Sequence, residues 1–389
     1  MSLPPFHGHD EVREALARAR GSGALPSALL LHGSRGVGKQ RLALWIGQLV
    51  LCTRPTATGP CGECKDCRLA RRLEHPDLHW FFPLPHPGGG YSPDKLAQAL
   101  EDARAEALEE RRRKGVWSTH SEEVRGLYLA MARTLRRMAQ HKPAMSERQV
   151  FVIAEAEELV PQESSPEAAN ALLKLLEEPP PGTYFILTSP RPGRLLPTIR
   201  SRTFPLHLPG LPDDEVVAYI REESGAEEAE ARRVARLAQG SIGRARDYLP
   251  SSDGEKGVLE QLRESSFHLL RAGLSPRAAD GLTLANEYSA SGARGLLDLF
   301  THLEQWLRDL AAAAAGEGER ILNEDGRDYL VRIARDRKIH PVAVARAFEP
   351  VEEAKLLASG NVNPQLIVAG LVRELRRILL PPDGLEKAS

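Results

Sequence analysis

Short apolar runs and longer amphipathic stretches alternate through the first half of the chain. Ala28-Leu29-Leu30-Leu31-His32 is an apolar run ending at Gly33, the pattern of a buried strand entering a glycine loop. From about Lys39, the residues Leu42, Ala43, Ile46, Leu49 and Val50 recur on one helical face. Val150-Phe151-Val152-Ile153 predicts a second buried strand, its β-branched side chains suited to a pleated surface. Tyr184 to Thr188 and Phe204 to Leu208 predict two more. Before them, Ser165-Pro166-Glu167 reads as a helix start: a capping hydroxyl, a proline at the first helical position and an acid at the positive dipole end. Leu172, Leu173, Leu175 and Leu176 carry that helix to Pro179-Pro180-Pro181. Apolar strands separated by helices predict a mostly parallel sheet covered on both faces.

Two further helical patterns lie inside this region. Ser92-Pro93-Asp94 opens one, with Leu96, Leu100, Ala103 and Ala107 at helical spacing. Ser121-Glu122-Glu123 opens another, striped by Val124, Leu127, Tyr128, Met131, Leu135 and Met138. Pro83 to Gly90 reads as a loop. After Pro209-Gly210-Leu211-Pro212 the strand pattern stops. Residues 213–249 read as a small helical unit, and residues 254–380 as a larger one containing Trp306, Leu307, Leu310 and the alanine run Ala311 to Ala315. Residues 381–389 read as a frayed tail.

A length of 389 residues suits two or three domains rather than one core. With 42% hydrophobic and 27% charged residues, wholesale disorder is excluded. Lys plus Arg is 52 and Asp plus Glu is 53, a net charge of -1, which argues against gripping nucleic acid by bulk charge. The run Arg111-Arg112-Arg113 reads as a solvated helix face. No basic region followed by an apolar stretch is visible at the start, and no apolar run matches a membrane span, so a cytoplasmic protein with reduced thiols is expected.

Gly33-Ser34-Arg35-Gly36-Val37-Gly38-Lys39-Gln40 follows the phosphate-binding pattern G-x-x-x-x-G-K up to its last position. Gly33, Gly36 and Gly38 let backbone N–H groups face a phosphate, and Lys39 reaches its outer oxygens. The next position needs a Ser or Thr hydroxyl to ligate Mg²⁺, and it holds Gln40. At the end of the Val150–Ile153 strand an Asp-Glu pair would support the metal and polarise water. Here Ala154 takes the aspartate position and Glu155 keeps the glutamate. With both magnesium contacts gone, the loop reads as a relic or a weak, metal-poor nucleotide site, and ATP–Mg²⁺ is not expected to bind productively. The four cysteines, Cys52, Cys61, Cys64 and Cys67, fall in one short window with two overlapping C-x-x-C turns. Their expected ligand is a structural Zn²⁺ in a closed tetrahedral site. His75 and His79 nearby are read as ordinary side chains, not ligands.

Leu25 to Gly33, the degenerate loop, the cysteines, Ala169-Asn170-Ala171-Leu172-Leu173-Lys174-Leu175-Leu176-Glu177-Glu178-Pro179-Pro180 and Ser201-Arg202-Thr203 occur in this order. The series resembles the AAA+ clamp-loader subunits of bacterial DNA polymerase III. Within that family the broken magnesium positions are similar to the delta-prime branch rather than the ATP-hydrolysing gamma/tau branch, as is Asn361-Val362-Asn363-Pro364-Gln365-Leu366 near the end. The resemblance implies an α/β AAA+ fold, with a RecA-like parallel sheet and zinc module, followed by a helical lid and an all-α collar. On this chain the AAA+ part spans 1–209, with the zinc module at 52–67 and a helical insertion at 92–141. The lid spans 210–252, the collar 253–381 and the tail 382–389. The insertion is longer than the family usually has, and either meets a partner or packs on the AAA+ domain.

The resemblance also implies a role. A delta-prime subunit presents the arginine of a Ser-Arg-Cys motif to the γ-phosphate of a neighbour's ATP. The matching arginine here is Arg202, with Thr203 in place of the cysteine. Ser189 falls near the γ-phosphate sensor and Arg244 near the second sensor. The implied partners are gamma/tau and delta subunits and, indirectly, the sliding clamp and primer-template DNA, with no membrane. The alternatives are an ATP-hydrolysing gamma/tau-type motor subunit, and a zinc module that binds nucleic acid by itself.

Overall fold

A computed structural model describes residues 3–88, 90–114, 125–159, 167–250, 254–288, 293–360 and 362–380. The chain forms two units, one built from residues 1–226 and 238–245, the other from 227–237 and 246–389.

The first unit is organised by five parallel strands: β1 (Ala28–His32), β2 (Leu78–Phe81), β3 (Gln149–Ile153), β4 (Thr183–Ser189) and β5 (Phe204–His207). Their order across the sheet is β2-β3-β4-β1-β5. The register sets Leu30 between Leu187 and Pro205, and Val152 between Trp80 and Ile186. The inner strands are apolar on both faces because helices cover both, and Leu29, Leu31, Phe151 and Ile186 are buried. Pro205 is tolerated because β5 is an edge strand, where no neighbour requires its missing N–H.

Helices α1 (Asp10–Gly21), α2 (Lys39–Leu51), α3 (Lys65–Arg71), α4 (Pro93–Lys114), α5 (Leu129–Ala139), α6 (Glu167–Glu177), α7 (Pro197–Arg200) and α8 (Asp213–Ser224) accompany the sheet. The expected stripe of α2 is the buried one: Leu42, Ala43, Ile46, Leu49 and Val50 are shut off from solvent. In α6, Leu172, Leu175 and Leu176 are buried. The expected start of α6 at Ser165-Pro166 lies outside the described residues, as does Ser121-Glu122-Glu123.

Three expectations change. Pro83 to Gly90 is not wholly a loop, since Leu84–Pro85 pairs antiparallel with Arg125–Gly126. That ladder takes Leu127 and Tyr128 out of the expected helical stripe, and α5 starts only at Leu129. Leu127 instead donates its N–H to the Glu158 carbonyl at 3.3 Å. The arginine run is not simply a solvated face. Arg111 lies over the Phe82 ring at 3.4 Å and the Trp80 ring at 4.7 Å, and burial pushes it down to about 10. Arg112 donates through Nε to the Leu73 carbonyl at 3.1 Å, and Arg113 alone of the three is exposed. Arg104, on the same helix, stacks on Phe81 and donates to the Trp80 carbonyl. With Leu100 fully buried, α4 packs on its own unit, and its arginines cover aromatic surface along edge strand β2.

Helices α9 (Glu228–Ala238) and α10 (Ile242–Tyr248) come next. The second unit then runs through α11 (Val258–Gly273), α12 (Ala278–Asn286), α13 (Leu296–Ala314), α14 (Arg327–Asp336), α15 (Pro341–Arg346), α16 (Phe348–Ala358) and α17 (Pro364–Leu379). Helix α13 is its centre. Leu299, Phe300, Leu303, Trp306, Leu307 and Leu310 are buried, and α11, α14 and α16 pack around it. Asp309 accepts the backbone N–H groups of Leu322 and Asn323, both at 2.9 Å, which fixes the turn after the helix. Among the described residues no helix is long and apolar enough to cross a membrane.

Candidate functional site

The phosphate-type loop leaves the carboxyl end of β1, Ala154-Glu155 leaves that of β3, and Ser189 closes β4. Parallel strands therefore bring these three segments to one edge of the sheet, where α/β folds place ligands. Gly33 and Gly36 have φ of 147° and 76°, and a Cβ at either would collide with the Leu208 carbonyl or the Ser241 hydroxyl. Ser241 donates to the Arg35 carbonyl at 3.0 Å and Gly243 N–H to the Gly36 carbonyl at 2.9 Å, so the 240–244 segment closes on the loop. The N-terminal stretch does so too. The Phe6 ring lies against Gly38, and His9 Nε2 is 3.0 Å from the Val37 carbonyl. Nothing in the apolar pattern announced this contact, because residues 3–9 belong to no regular element.

Inside the loop the donors are turned on the protein itself. Lys39 Nζ donates to the carbonyls of Gly33 at 2.9 Å and Ser34 at 2.7 Å. Burial pushes Lys39 down to about 8, against the pull of Glu157 and Glu155. Gln40 Nε2 donates to Glu155 Oε1 at 3.3 Å. The residue standing where a magnesium-ligating hydroxyl would be is thus bonded to the carboxylate that would polarise water. Glu155 has a left-handed backbone (φ 49°), steadied by its N–H bonding the buried Thr188 hydroxyl at 3.2 Å. Sequence reasoning missed the Gln40–Glu155 bond, and it also missed Glu157, a 2% exposed carboxylate beside this cluster.

The four cysteines are free thiols, and their sulfurs all lie within 4.8 Å of one another. Cys61 Sγ is 3.9 Å from Cys67 Sγ, and Cys64 Sγ is 4.0 Å from Cys52 Sγ. A tetrahedron of sulfurs about 2.3 Å from a zinc ion has edges of about 3.8 Å, so the donor set fits a metal such as zinc. Backbone N–H groups of Cys61, Cys64 and Cys67 point at Cys52, Cys61 and Cys64 sulfurs, which favours thiolates. Burial opposes ionisation of Cys64, but N–H bonds from Cys67 and Thr53 prevail and bring it to about 6. Burial pushes the Cys67 thiol up, so a cation is what would let all four ionise together.

His75 and His79 stand outside the group of four sulfurs. His75 is buried, its Nδ1 accepting the Asp77 N–H at 3.0 Å and its Nε2 lying 3.1 Å from Asp66 Oδ1. His79 stacks on Phe151, and burial pushes it down to about 4.

Arg202 stands apart from the loop, just after α7. Its Nε and Nη2 contact Glu177 Oε1 at the end of α6, and Nη1 donates to the Thr198 carbonyl at 3.0 Å. Thr203, where the resembling motif has cysteine, is buried and donates its hydroxyl to the Ile199 carbonyl at 3.1 Å.

A family model described as "DNA polymerase III, delta subunit" matches residues 8–212, more than half of the chain. The chain belongs to this DNA polymerase III family. A "DNA polymerase III subunit delta'" of Yersinia pestis is 28% identical over 90% of this chain and 86% of its own length. One from Pseudomonas aeruginosa is 36% identical over 45% of this chain and 40% of its own. A "DNA polymerase III subunit tau/gamma" of Haemophilus influenzae is 27% identical over 82% of this chain and 38% of its own. This DNA polymerase III family member is therefore delta′-like. Its five-stranded parallel sheet, flanked by helices and followed by a helical C-terminal unit, is the α/β AAA+ class expected from the sequence.

Proposed function

We propose that this chain is a clamp-loader subunit of the DNA polymerase III holoenzyme that hydrolyses no ATP itself. It lends Arg202 to the ATP-bound site of a neighbouring gamma/tau-type subunit. The observation that carries this reading is the Gln40–Glu155 bond. A motor needs Mg²⁺ on the phosphates and a free glutamate near water. Here the ion's hydroxyl ligand is replaced by an amide, its aspartate support is Ala154, and the glutamate is engaged by that amide. Arg202 is half-buried and within reach of a partner. A guanidinium is planar and permanently charged, which suits it to a phosphate shedding its bond. The relatives named delta′ support this role. The cysteine cluster holds a structural zinc, and the remaining partners are the delta subunit, the sliding clamp and primer-template DNA, all in the cytoplasm.

A gamma/tau-type motor is the second reading, favoured by the tau/gamma relatives and by Lys39 and Glu155. ATPase measurements on the purified chain and on the reassembled loader separate the two. The proposal expects no turnover by the chain alone, and a fall of about a hundredfold or more in DNA-dependent ATPase of the loader carrying Arg202→Ala. Turnover by the chain alone that vanishes in Lys39→Ala would establish the motor instead.

A further inference from the structure

We propose that Glu177 is a positioning residue for Arg202, fixing the guanidinium so that Nη2 can meet the neighbour's phosphate. This rests on the reading of Arg202 as a residue acting in trans. Glu177 is the last residue of α6. The helix dipole is negative there, so a carboxylate at this place costs free energy unless a cation offsets it. Arg202 is that cation. It contacts Glu177 Oε1 through Nε and Nη2, along one edge of the guanidinium, with Nε 2.5 Å away. Nη1 is held by the Thr198 carbonyl at 3.0 Å and, more loosely, by the Ser201 hydroxyl at 3.4 Å. The plane of the group is thereby set from two sides by its own chain. Among the bonds of the described residues, the second N–H of Nη2 is unengaged. That leaves a donor for phosphate without breaking the pair.

The pair has little to do with stability. Its side chains are 32% and 42% exposed, and ion pairs so exposed contribute about 0–1 kcal/mol. An arginine free to swing would lose rotamer entropy on meeting its target. The carboxylate removes that cost in advance, which belongs to orientation rather than to folding.

The test uses the reassembled loader with Glu177→Gln, Glu177→Asp or Arg202→Ala in this subunit, and thermal melting of each variant chain. Glu177→Gln is expected to lower the kcat of DNA-dependent ATP hydrolysis about tenfold while KM for ATP moves less than about twofold. Glu177→Asp should recover part of the loss, and the melting temperatures should match the parent. Loss in Arg202→Ala with full activity in Glu177→Gln would overturn the positioning role and leave the trans arginine standing. Full activity in both would overturn the trans arginine itself. Higher kcat in Glu177→Gln would overturn the positioning role by showing that the carboxylate restrains the arginine.

Discussion

Glu157 lies in the turn Ala156–Leu159, two residues past Glu155, and its buried carboxylate faces the Ser189 hydroxyl. Arg191 Nε is 3.8 Å away, and Lys39 and Glu155 also act on this site. Burial holds the Glu157 carboxyl above its ordinary value of 4.5. Between that value and the raised one the folded chain binds more protons than the unfolded chain, so stability falls as pH rises through the window. Glu157→Gln should therefore raise the melting temperature at pH 8, with the gain fading as the pH approaches 4. A variant that melts lower at pH 8 would mean that the charge is matched within the cleft. Such residues mark where sequence reading stops. The glycines and Lys39 were legible from local spacing, and so was the loss of the hydroxyl and the aspartate. The bond from Gln40 to Glu155 joins positions 115 apart, and only the parallel order of β1, β4 and β3 brings them together.

Helix α3 has only seven residues, too few to hold itself in water. Its Cys67 and the capping Cys64 belong to the sulfur cluster, while Asp66 meets His75 and accepts the Ser146 hydroxyl at 3.2 Å, and Gln48 of α2 donates to the Cys67 carbonyl at 3.2 Å. Asp77 accepts N–H groups of Ala144, Met145 and Ser146, which ties the same corner to the approach of β3. Stripping the metal with a strong chelator should lower the melting temperature by about 5–10 °C, the shift for roughly 2–4 kcal/mol. Cys67→Ser should do the same, and elemental analysis of untreated protein should find one zinc per chain. An unchanged melt after verified metal loss would deny the staple. At this scale the sequence was readable where burial is two-sided or periodic, as in β1, β3, β4, α2 and α6. It was opaque at β2, whose Leu78-His79-Trp80-Phe81 lacks β-branched residues and carries a histidine that only the fold desolvates. It was opaque again at α1 and α3, where few positions are buried.

The chain passes between its two units three times, after Ala226, Leu237 and Ala245. Residues 227–237 share a unit with residues 246–389, although residues 238–245 close on the phosphate-type loop. Ala231, Val234 and Leu237 are buried, and Arg233 reaches Glu260 at 3.3 Å. Of two fragments, 227–389 should therefore show a higher urea midpoint than 246–389, and equal midpoints would mean that α9 adds nothing to the second unit. The near balance of 52 basic and 53 acidic residues, legible at once, left this interleaving hidden, since composition carries no order. The same path constrains recombination. A crossover with a relative at residue 246 would inherit one parent's α9 and the other's α11, mismatching Arg233 and Glu260, whereas a crossover before residue 227 would transmit both from the same parent.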